Sequence, residues 1–461
     1  MAGTDSHAQS DASAFAAIAY EDAGRKIPSD FIGLSYESTI LAPGDYFAPD
    51  NASVLGLIRL LGRDGVIRIG GNTSERTVWR ADGKAARPED IVITPVSIDR
   101  LAAAMRALGW KLIYGLNLAR GTAEQAAEEA AYVSQALGAN LLAFQIGNEP
   151  NGFGRWTAVR PRTYDAVAFL AEWREFHKAI RARLPDARFA GPDVAGETDW
   201  VGAFAEQHPA GLVLLTDHYY VDGPAGAPHI SLARLLHSDQ QILPELEKLS
   251  HYSRSYRLPY RIVEANSIYN EGQPGVSDTL GAALWGLELM FQAATAGAAG
   301  INFHAGVHNL RPSEDKAYTP IARSSGGRHR PTPPFYAMLA FVQIGLGAIV
   351  PARLAGTSGV LKAFAVRKPE GALQLCLINK DHERSAQVTI DAGRGFATGS
   401  LMRLLGPALD ATTGITLGGA SVDEFGTWAP TNMETVQLSS REISVAVPAA
   451  SAALISLQQA R

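Results

Sequence analysis

A single cysteine among 461 residues leaves no means of building an internal disulfide framework, and it excludes a structural zinc site made of thiolates. That cysteine, Cys376, sits in the apolar run Leu375-Cys376-Leu377-Ile378. It reads as a buried, inert thiol rather than a nucleophile. Positive charge is not in excess either: 41 Lys and Arg stand against 46 Asp and Glu, for a formal net charge of −5. With no basic run or tail, nucleic acid is not expected as a general partner. Long charge-free apolar stretches are missing too. The most apolar segment, 282–299, carries Glu288 and Gln292 among small residues and reads as a buried helix, not a membrane span.

Three further signals are lacking. The first eleven residues do not follow the basic-then-apolar order of a signal peptide. The expectation is a secreted or periplasmic protein whose leader precedes this sequence, with a cytoplasmic protein as the alternative. No Gly-rich phosphate loop follows the first strand of the main pattern, and Gly70-Gly71 needs no phosphate to explain it. No cofactor is expected. His304 and His308 have a spacing that aligns metal ligands on a helix, but here a strand is ending, so no metal is expected either.

What is present is a repeated alternation. Apolar strand-like runs occupy 31–38, 66–71, 111–118, 141–147, 188–194, 212–220, 260–267 and 300–306, and segments of helical periodicity lie between them. Eight such units predict a (β/α)8 barrel over 31–347, with a doubly wound open sheet as runner-up. From 348 to 461 short alternating runs separated by turn clusters predict an antiparallel β-sandwich. The early strand 14–20 lies outside the count of eight. Residues 1–30 are therefore expected to be a tail and a strand that joins the sandwich.

In a barrel the C-terminal ends of the strands face the active site. Those ends carry Glu37, Asn72, Asn117, Asn148-Glu149, Asp193, His218-Tyr219, Glu264 and His304. The fourth run passes directly into Asn148-Glu149-Pro150, where Pro150 has no N–H to continue a ladder. Glu264 ends the seventh run, and 264 − 149 = 115 residues is three βα units. Across the rim of a barrel those two strands face each other. Carboxyl groups about 5 Å apart suit a retaining glycosidase, one as acid/base and the other as nucleophile.

This pattern, Asn148-Glu149-Pro150 after strand four with Glu264 after strand seven, resembles the clan of (β/α)8 retaining glycoside hydrolases. The stretch Glu264-Ala265-Asn266-Ser267-Ile268-Tyr269, followed by Gly275-Val276-Ser277-Asp278-Thr279 and Trp285, is similar to glycoside hydrolase family 79. That family contains β-glucuronidases and heparanases, and the resemblance covers the whole chain. It implies Glu149 as acid/base, Glu264 as nucleophile and Asn148 as the group that binds the sugar 2-hydroxyl. It further implies that Tyr219 orients the nucleophile and that Glu37 and Asn72 contact sugar hydroxyls. Tyr269, the backbone near Gly272, and Tyr318 would grip the uronic carboxylate. Heparanases have consecutive glycines after the first of those tyrosines, whereas this chain has Asn270-Glu271-Gly272.

The expected partner is a glucuronic-acid-containing oligo- or polysaccharide, bound by a monomer. Cations in two active-face loops point to an anionic glycan. They are Arg155, Arg160 and Arg162 after strand four, then Arg311, Lys316, Arg323, Arg328 and Arg330 after strand eight. The expectation is a heparanase-like endo-β-glucuronidase on heparan sulfate-type chains. An exo-β-glucuronidase on short or plant-type glycans remains open, as does a xylanase or arabinofuranosidase of the same clan. A non-catalytic carbohydrate-binding protein is the rival from another class. Phe153, Trp79 and Trp156 could be sugar platforms or ordinary loop packing.

Overall fold

The computed structural model describes residues 12–459, except 43, 86, 88–89, 239, 308–313, 357–358, 394 and 439–440. The first eleven residues, His308 and Arg311 thus lie outside the described residues.

Eight parallel strands close into a barrel: β1 (Ile32–Glu37), β2 (Val66–Gly70), β3 (Lys111–Leu116), β4 (Leu141–Ile146), β5 (Phe189–Ala195), β6 (Leu212–Asp222), β7 (Tyr260–Ile268) and β8 (Gly300–Ala305). They pair in sequence order, and β8 closes on β1. The runs legible in the sequence are these strands, because strands covered on both faces are apolar almost throughout. Val66, Ile113, Ala143, Ala190, Leu214 and Val263 fill the lower barrel as one apolar cluster. Polar side chains begin above it, towards the C-terminal rim.

The surrounding helices start and stop where local chemistry dictates. Ala123–Leu137 opens on a capping box between Thr122 and Gln125. Pro95–Leu108 starts with Thr94 capping and proline in the first turn, and it ends at Gly109 with φ 79°. Leu280–Ala296, which spans most of the charge-poor segment, is buried nearly all round because the second domain covers its outer side. Phe291 there stacks on Phe364 of the sandwich, with ring centres 4.7 Å apart. Among the described residues no helix is long and apolar enough to cross a membrane.

The second domain consists of two packed sheets. One is antiparallel and includes Leu361–Arg367, Leu373–Asn379, Ser451–Gln459 and Phe396–Leu405. The other orders Ala352–Ala355, the N-terminal strand Ala12–Ile18, Ala386–Asp391 and Glu442–Val447. The first strand of the chain does complete the sandwich. It does so partly in parallel, with Phe15 opposite Thr389, so the domain is not purely antiparallel. The short strands Ala348–Val350, Ala352–Ala355 and Glu434–Gln437 carry too few residues for a period-2 signal and were not expected from sequence. Ala16, Val388 and Val445 of one sheet meet Leu375, Leu377 and Ile455 of the other in a common core.

Candidate active site

Arg68 is the side chain around which the upper barrel is built. It lies within the apolar strand Val66-Ile67-Arg68-Ile69-Gly70, two residues above Val66 on the inward face, and it is fully buried. Its guanidinium donates to Glu264 Oε2 at 2.6 Å, Asp193 Oδ2 at 2.5 Å, Asn148 Oδ1 at 2.6 Å and Gln145 Oε1 at 3.1 Å. A buried guanidinium is tolerable only when its donors are taken up in this way. The two glycines that follow make the arrangement possible. A Cβ at Gly70 would stand 2.4 Å from the Arg68 guanidinium carbon, and one at Gly71 2.3 Å from the Glu37 carboxylate. Gly70-Gly71 therefore clears room for two charged side chains and cradles no phosphate.

Glu264 and Glu149 face each other from β7 and the end of β4. One carboxylate oxygen of each, together with a ring nitrogen of His218, lies within 4.8 Å of the others. Glu264 is held on several sides. Besides Arg68, Tyr220 donates its hydroxyl to Oε1 at 2.8 Å, and His304 Nδ1 lies 3.5 Å from Oε2. Burial alone would push this carboxyl up. The imidazoles of His304 and His218 and the Arg68 guanidinium outweigh burial and bring it down to about 2, so it is an anion at any ordinary pH.

Glu149 sits with φ 45°, a left-handed conformation that a non-glycine residue adopts at a cost, and its N–H donates to Asp193 O at 2.8 Å. Its Oε1 lies 3.0 Å from His218 Nδ1, and His218 Nε2 lies 2.8 Å from Asp193 Oδ1. Burial opposes charge on this ring, but the carboxylates of Asp193 and Glu264 and its hydrogen bonds raise it to about 10. His218 is thus an imidazolium that donates on both sides. The Glu149–His218–Glu264 group has spacing that could hold a metal ion. Arg68 and His218 already supply positive charge there and engage carboxylate lone pairs that a cation would need.

A second cluster lies at the β1–β8 side. Glu37 accepts from Thr73 N–H at 2.9 Å, Thr73 Oγ1 at 2.8 Å and Lys316 Nζ at 3.1 Å. Lys316 is buried, also reaches His304 Nε2 at 2.7 Å, and lies 3.7 Å from Glu271 Oε2. It was expected among loop cations turned towards an anionic glycan, yet it is buried in the floor of this cluster and held by Glu37 and His304. Tyr318, also buried, has its ring centre 6.0 Å from that of His304 and 6.2 Å from that of Tyr220. Gly272, at φ 80°, lets the preceding loop pass Tyr318, since a Cβ would come within 2.8 Å of the Tyr318 nitrogen.

Asn72 Oδ1 accepts from Asn148 Nδ2 at 3.1 Å, so Asn72, Asn148, Glu149 and Glu264 are joined through Arg68 and His218, while Glu37 and Tyr318 stand beside them. Tyr219 is not part of this group. On β6 side chains alternate, so His218 and Tyr220 point into the barrel and Tyr219 points outward, where Glu245 is its charged neighbour. The residue that holds Glu264 is Tyr220. Tyr269 stands 41 % exposed on the rim, with its ring against Gly223. Phe153 is core, stacked on Tyr164, and Trp79 packs on Tyr132, whereas Trp156 is exposed. Asn117 is spent on the Thr77 carbonyl and the Arg120 N–H.

A sequence profile described as the glycosyl hydrolase family 79 C-terminal beta domain matches residues 363–454. A β-glucuronidase of Aspergillus niger is 24% identical over 95% of this chain and 92% of its own. The chain is a glycoside hydrolase whose second domain is similar to that of family 79. A β-glucuronidase of Neurospora crassa is 25% identical over 54% of this glycoside hydrolase and 51% of its own length. Among solved structures, the same fold occurs in a 4-O-α-L-rhamnosyl-β-D-glucuronidase from Fusarium oxysporum, with a TM-score of 0.79 and 20% identity over 94% of this chain and 97% of that one. It occurs also in a GH51 arabinofuranosidase from Xanthomonas axonopodis pv. citri, with a TM-score of 0.71 and 15% identity over 97% and 100% of the two chains.

Residues that sequence reasoning missed in this glycoside hydrolase left unequal traces. Arg68 had one, a lone charge in the middle of a buried strand. Tyr220 needed only the parity of β6. Lys316 had none, because nothing in the loop's composition tells a buried lysine from a solvated one.

Proposed function

We propose that this glycoside hydrolase is a retaining β-glucuronidase, with Glu149 as acid/base and Glu264 as nucleophile. The observation that carries the reading is the approach of the two carboxylates, with an oxygen of each within 4.8 Å. At that spacing a carboxylate reaches the anomeric carbon directly, with no room for an intervening water. Glu264 attacks that carbon while Glu149 donates its proton to the departing glycosidic oxygen, leaving a glycosyl ester on Glu264. A water then attacks the same carbon, Glu149 accepts its proton, and the ester bond to Glu264 breaks. Tyr220 and Arg68 keep Glu264 anionic and oriented. Asn148, whose amide is fixed between Arg68 and Asn72, binds the 2-hydroxyl, and Glu37 and Asn72 take other hydroxyls.

Similarity to two fungal β-glucuronidases supports a uronic acid as the sugar cleaved. Tyr269, Tyr318 and the backbone near Gly272 bind its carboxylate. The test is hydrolysis of aryl β-glucuronide, β-glucoside and β-xyloside, with Glu264→Gln as control. Turnover of the glucuronide alone, abolished in the variant, is expected; retained activity in Glu264→Gln would end the nucleophile assignment. Internal cleavage of heparan sulfate-type chains is the finer proposal. It is supported by two cavities that share Arg76 as a wall beside the site. An endo enzyme shortens mean chain length early in digestion. Release of terminal glucuronate alone would leave exo action on short or plant-type glycans as the correct reading.

A further inference from the structure

Two buried carboxyls behind the site take no part in the chemistry described above. Asp217 lies on β6 one residue before His218, and its side chain leaves the strand on the outer face, as Tyr219 does. Glu245 approaches from the first turn of the helix Leu243–Tyr256, where it is the charged neighbour of Tyr219. Asp217 is fully buried, and its Oδ2 has no hydrogen-bond partner; Glu245 Oε1 is buried without one as well. The other Asp217 oxygen accepts the His218 N–H at 3.0 Å. An orphaned carboxylate oxygen in a protein interior is costly, and here one space holds two.

The surrounding cations are engaged elsewhere. His218 is committed to Glu149 and Asp193. Lys248, on the same helix as Glu245, is half-exposed and lies 2.8 Å from Asp199 Oδ1, which also accepts the Tyr252 hydroxyl at 3.3 Å. Burial is the largest effect on both acids. It raises Asp217 to about 7, with Asp193 adding to it and His218 and the Thr198 hydroxyl opposing it. It also holds Glu245 well above the usual carboxylate range, and there Asp217 is the strongest charge, ahead of His218 and Lys248. Two carboxyls that act on each other in this way titrate as a unit, and the first proton to bind serves both.

We propose that Asp217 and Glu245 share one proton, which ties the helix Leu243–Tyr256 to β6 and so positions His218 and Tyr220 against the two catalytic carboxylates. A proton carried by one carboxyl is donated to the orphaned oxygen of the other and satisfies both. The inner face of the same strand places His218 Nδ1 3.0 Å from Glu149 Oε1 and the Tyr220 hydroxyl 2.8 Å from Glu264 Oε1. Loss of the shared proton leaves two like charges in a buried space, and their repulsion displaces the strand or the helix. Asp217 and Glu245 are positioning residues, since neither touches the substrate. For its effect on turnover the inference rests on the glucuronidase reading; the shared proton itself does not.

The experiment follows kcat/KM from about pH 5.5 to about pH 8.5 on dinitrophenyl β-glucuronide, whose leaving group needs no proton from Glu149. Wild type, Glu245→Gln and Asp217→Asn are each compared with their own value at the acid end. An amide at either position donates permanently to the opposite oxygen, and the remaining carboxyl then ionises with no like charge facing it. In the wild type kcat/KM is expected to fall about tenfold or more as the pH rises through about 7, and in each variant by no more than about threefold. Any contribution from Glu75 and Glu129, also raised to about 7, appears in all three profiles, so the difference between them belongs to the pair. Melting gives a second readout. The folded value of Asp217 lies above its ordinary 3.8, so the stability it contributes is fully present below that value and lost as the pH rises through about 7. Between about pH 4 and about pH 8.5 the wild-type melting temperature should therefore drop several degrees relative to each variant. Parallel pH–rate profiles in the three proteins overturn the proposal. So does a wild-type melting temperature that rises with added Ca²⁺ at alkaline pH while those of the variants do not, which would make the pair a cation site. If the wild type cleaves no aryl glucuronide, the glucuronidase reading falls, and the melting difference alone then upholds or overturns the shared proton.

Discussion

Tyr220 donates its hydroxyl to Glu264 Oε1 at 2.8 Å, while Tyr219, its neighbour in the chain, faces the other side of the strand. A hydrogen bond to a buried carboxylate contributes about 1.5–3 kcal/mol. Tyr220→Phe should therefore lower kcat/KM on an aryl glucuronide roughly 10- to 100-fold without unfolding the protein. Tyr219→Phe should change it by no more than about twofold, since its hydroxyl is not among the groups that touch either carboxylate. Equal losses in the two variants would show that the hydroxyl acts through packing and not through Glu264.

Glu129 offers a test at a distance from the nucleophile. It is buried, accepts the Tyr114 hydroxyl at 2.7 Å, and is raised to about 7, mainly by burial. A carboxyl whose folded value lies above its unfolded one contributes stability that is fully present below about 4.5 and is lost as the pH rises through about 7. Glu129→Gln keeps the acceptor and removes the titration. Its melting temperature should match the wild type near pH 4.5 and exceed it by several degrees at pH 8. A difference independent of pH would refute this account.

How much of this could be read beforehand follows from which residues carried a pattern. The eight strands were legible because β-strands buried on both faces are apolar throughout, and Glu149 and Glu264 because charged residues at the ends of such strands have no packing purpose. Tyr219 was preferred to Tyr220 on the resemblance to the family pattern after His218, and parity is fixed only once His218 is known to face Glu149. Gly70-Gly71 carried a weak nucleotide signal. Its cause, clearance for Arg68 and Glu37, is a relation across strands that no local pattern encodes. The short sandwich strands Ala348–Val350, Ala352–Ala355 and Glu434–Gln437 escaped because three or four residues cannot display alternation.

The two domains are held by a buried ion pair as well as by apolar packing. Lys380 Nζ lies 2.7 Å from Glu288 Oε2 and donates to the Leu236 carbonyl at 2.6 Å. Lys380→Met would leave the buried Glu288 carboxylate with Lys362, 3.5 Å away, and the Gln292 amide at 3.3 Å, and breaking such a pair costs about 3–5 kcal/mol. Lys380→Met should therefore lower the melting temperature by several degrees, and Glu288→Leu added to it should recover most of the loss. If the double variant melts below the single one, the pair is not what sets the interface.

Lys316 offers a test of uronate recognition. Its ammonium is the cation between Glu37 and Glu271, and in heparanase-like sequences the Glu271 position is a glycine, with no carboxylate to neutralise. If a glucuronate binds here, its own carboxylate becomes a third negative charge near the first two. Lys316→Met would leave those charges facing one another across a few ångströms, where each repulsion amounts to about 2–4 kcal/mol at an effective dielectric of about 20. A glucoside brings no such charge. The ratio of kcat/KM for aryl β-glucuronide over aryl β-glucoside should therefore fall by on the order of tenfold or more in Lys316→Met, and Glu271→Gln in the same background should restore part of it. A ratio that stays constant while both activities drop would make Lys316 a support for Glu37 and His304 only, and would leave uronate recognition to Tyr269, Tyr318 and the backbone near Gly272.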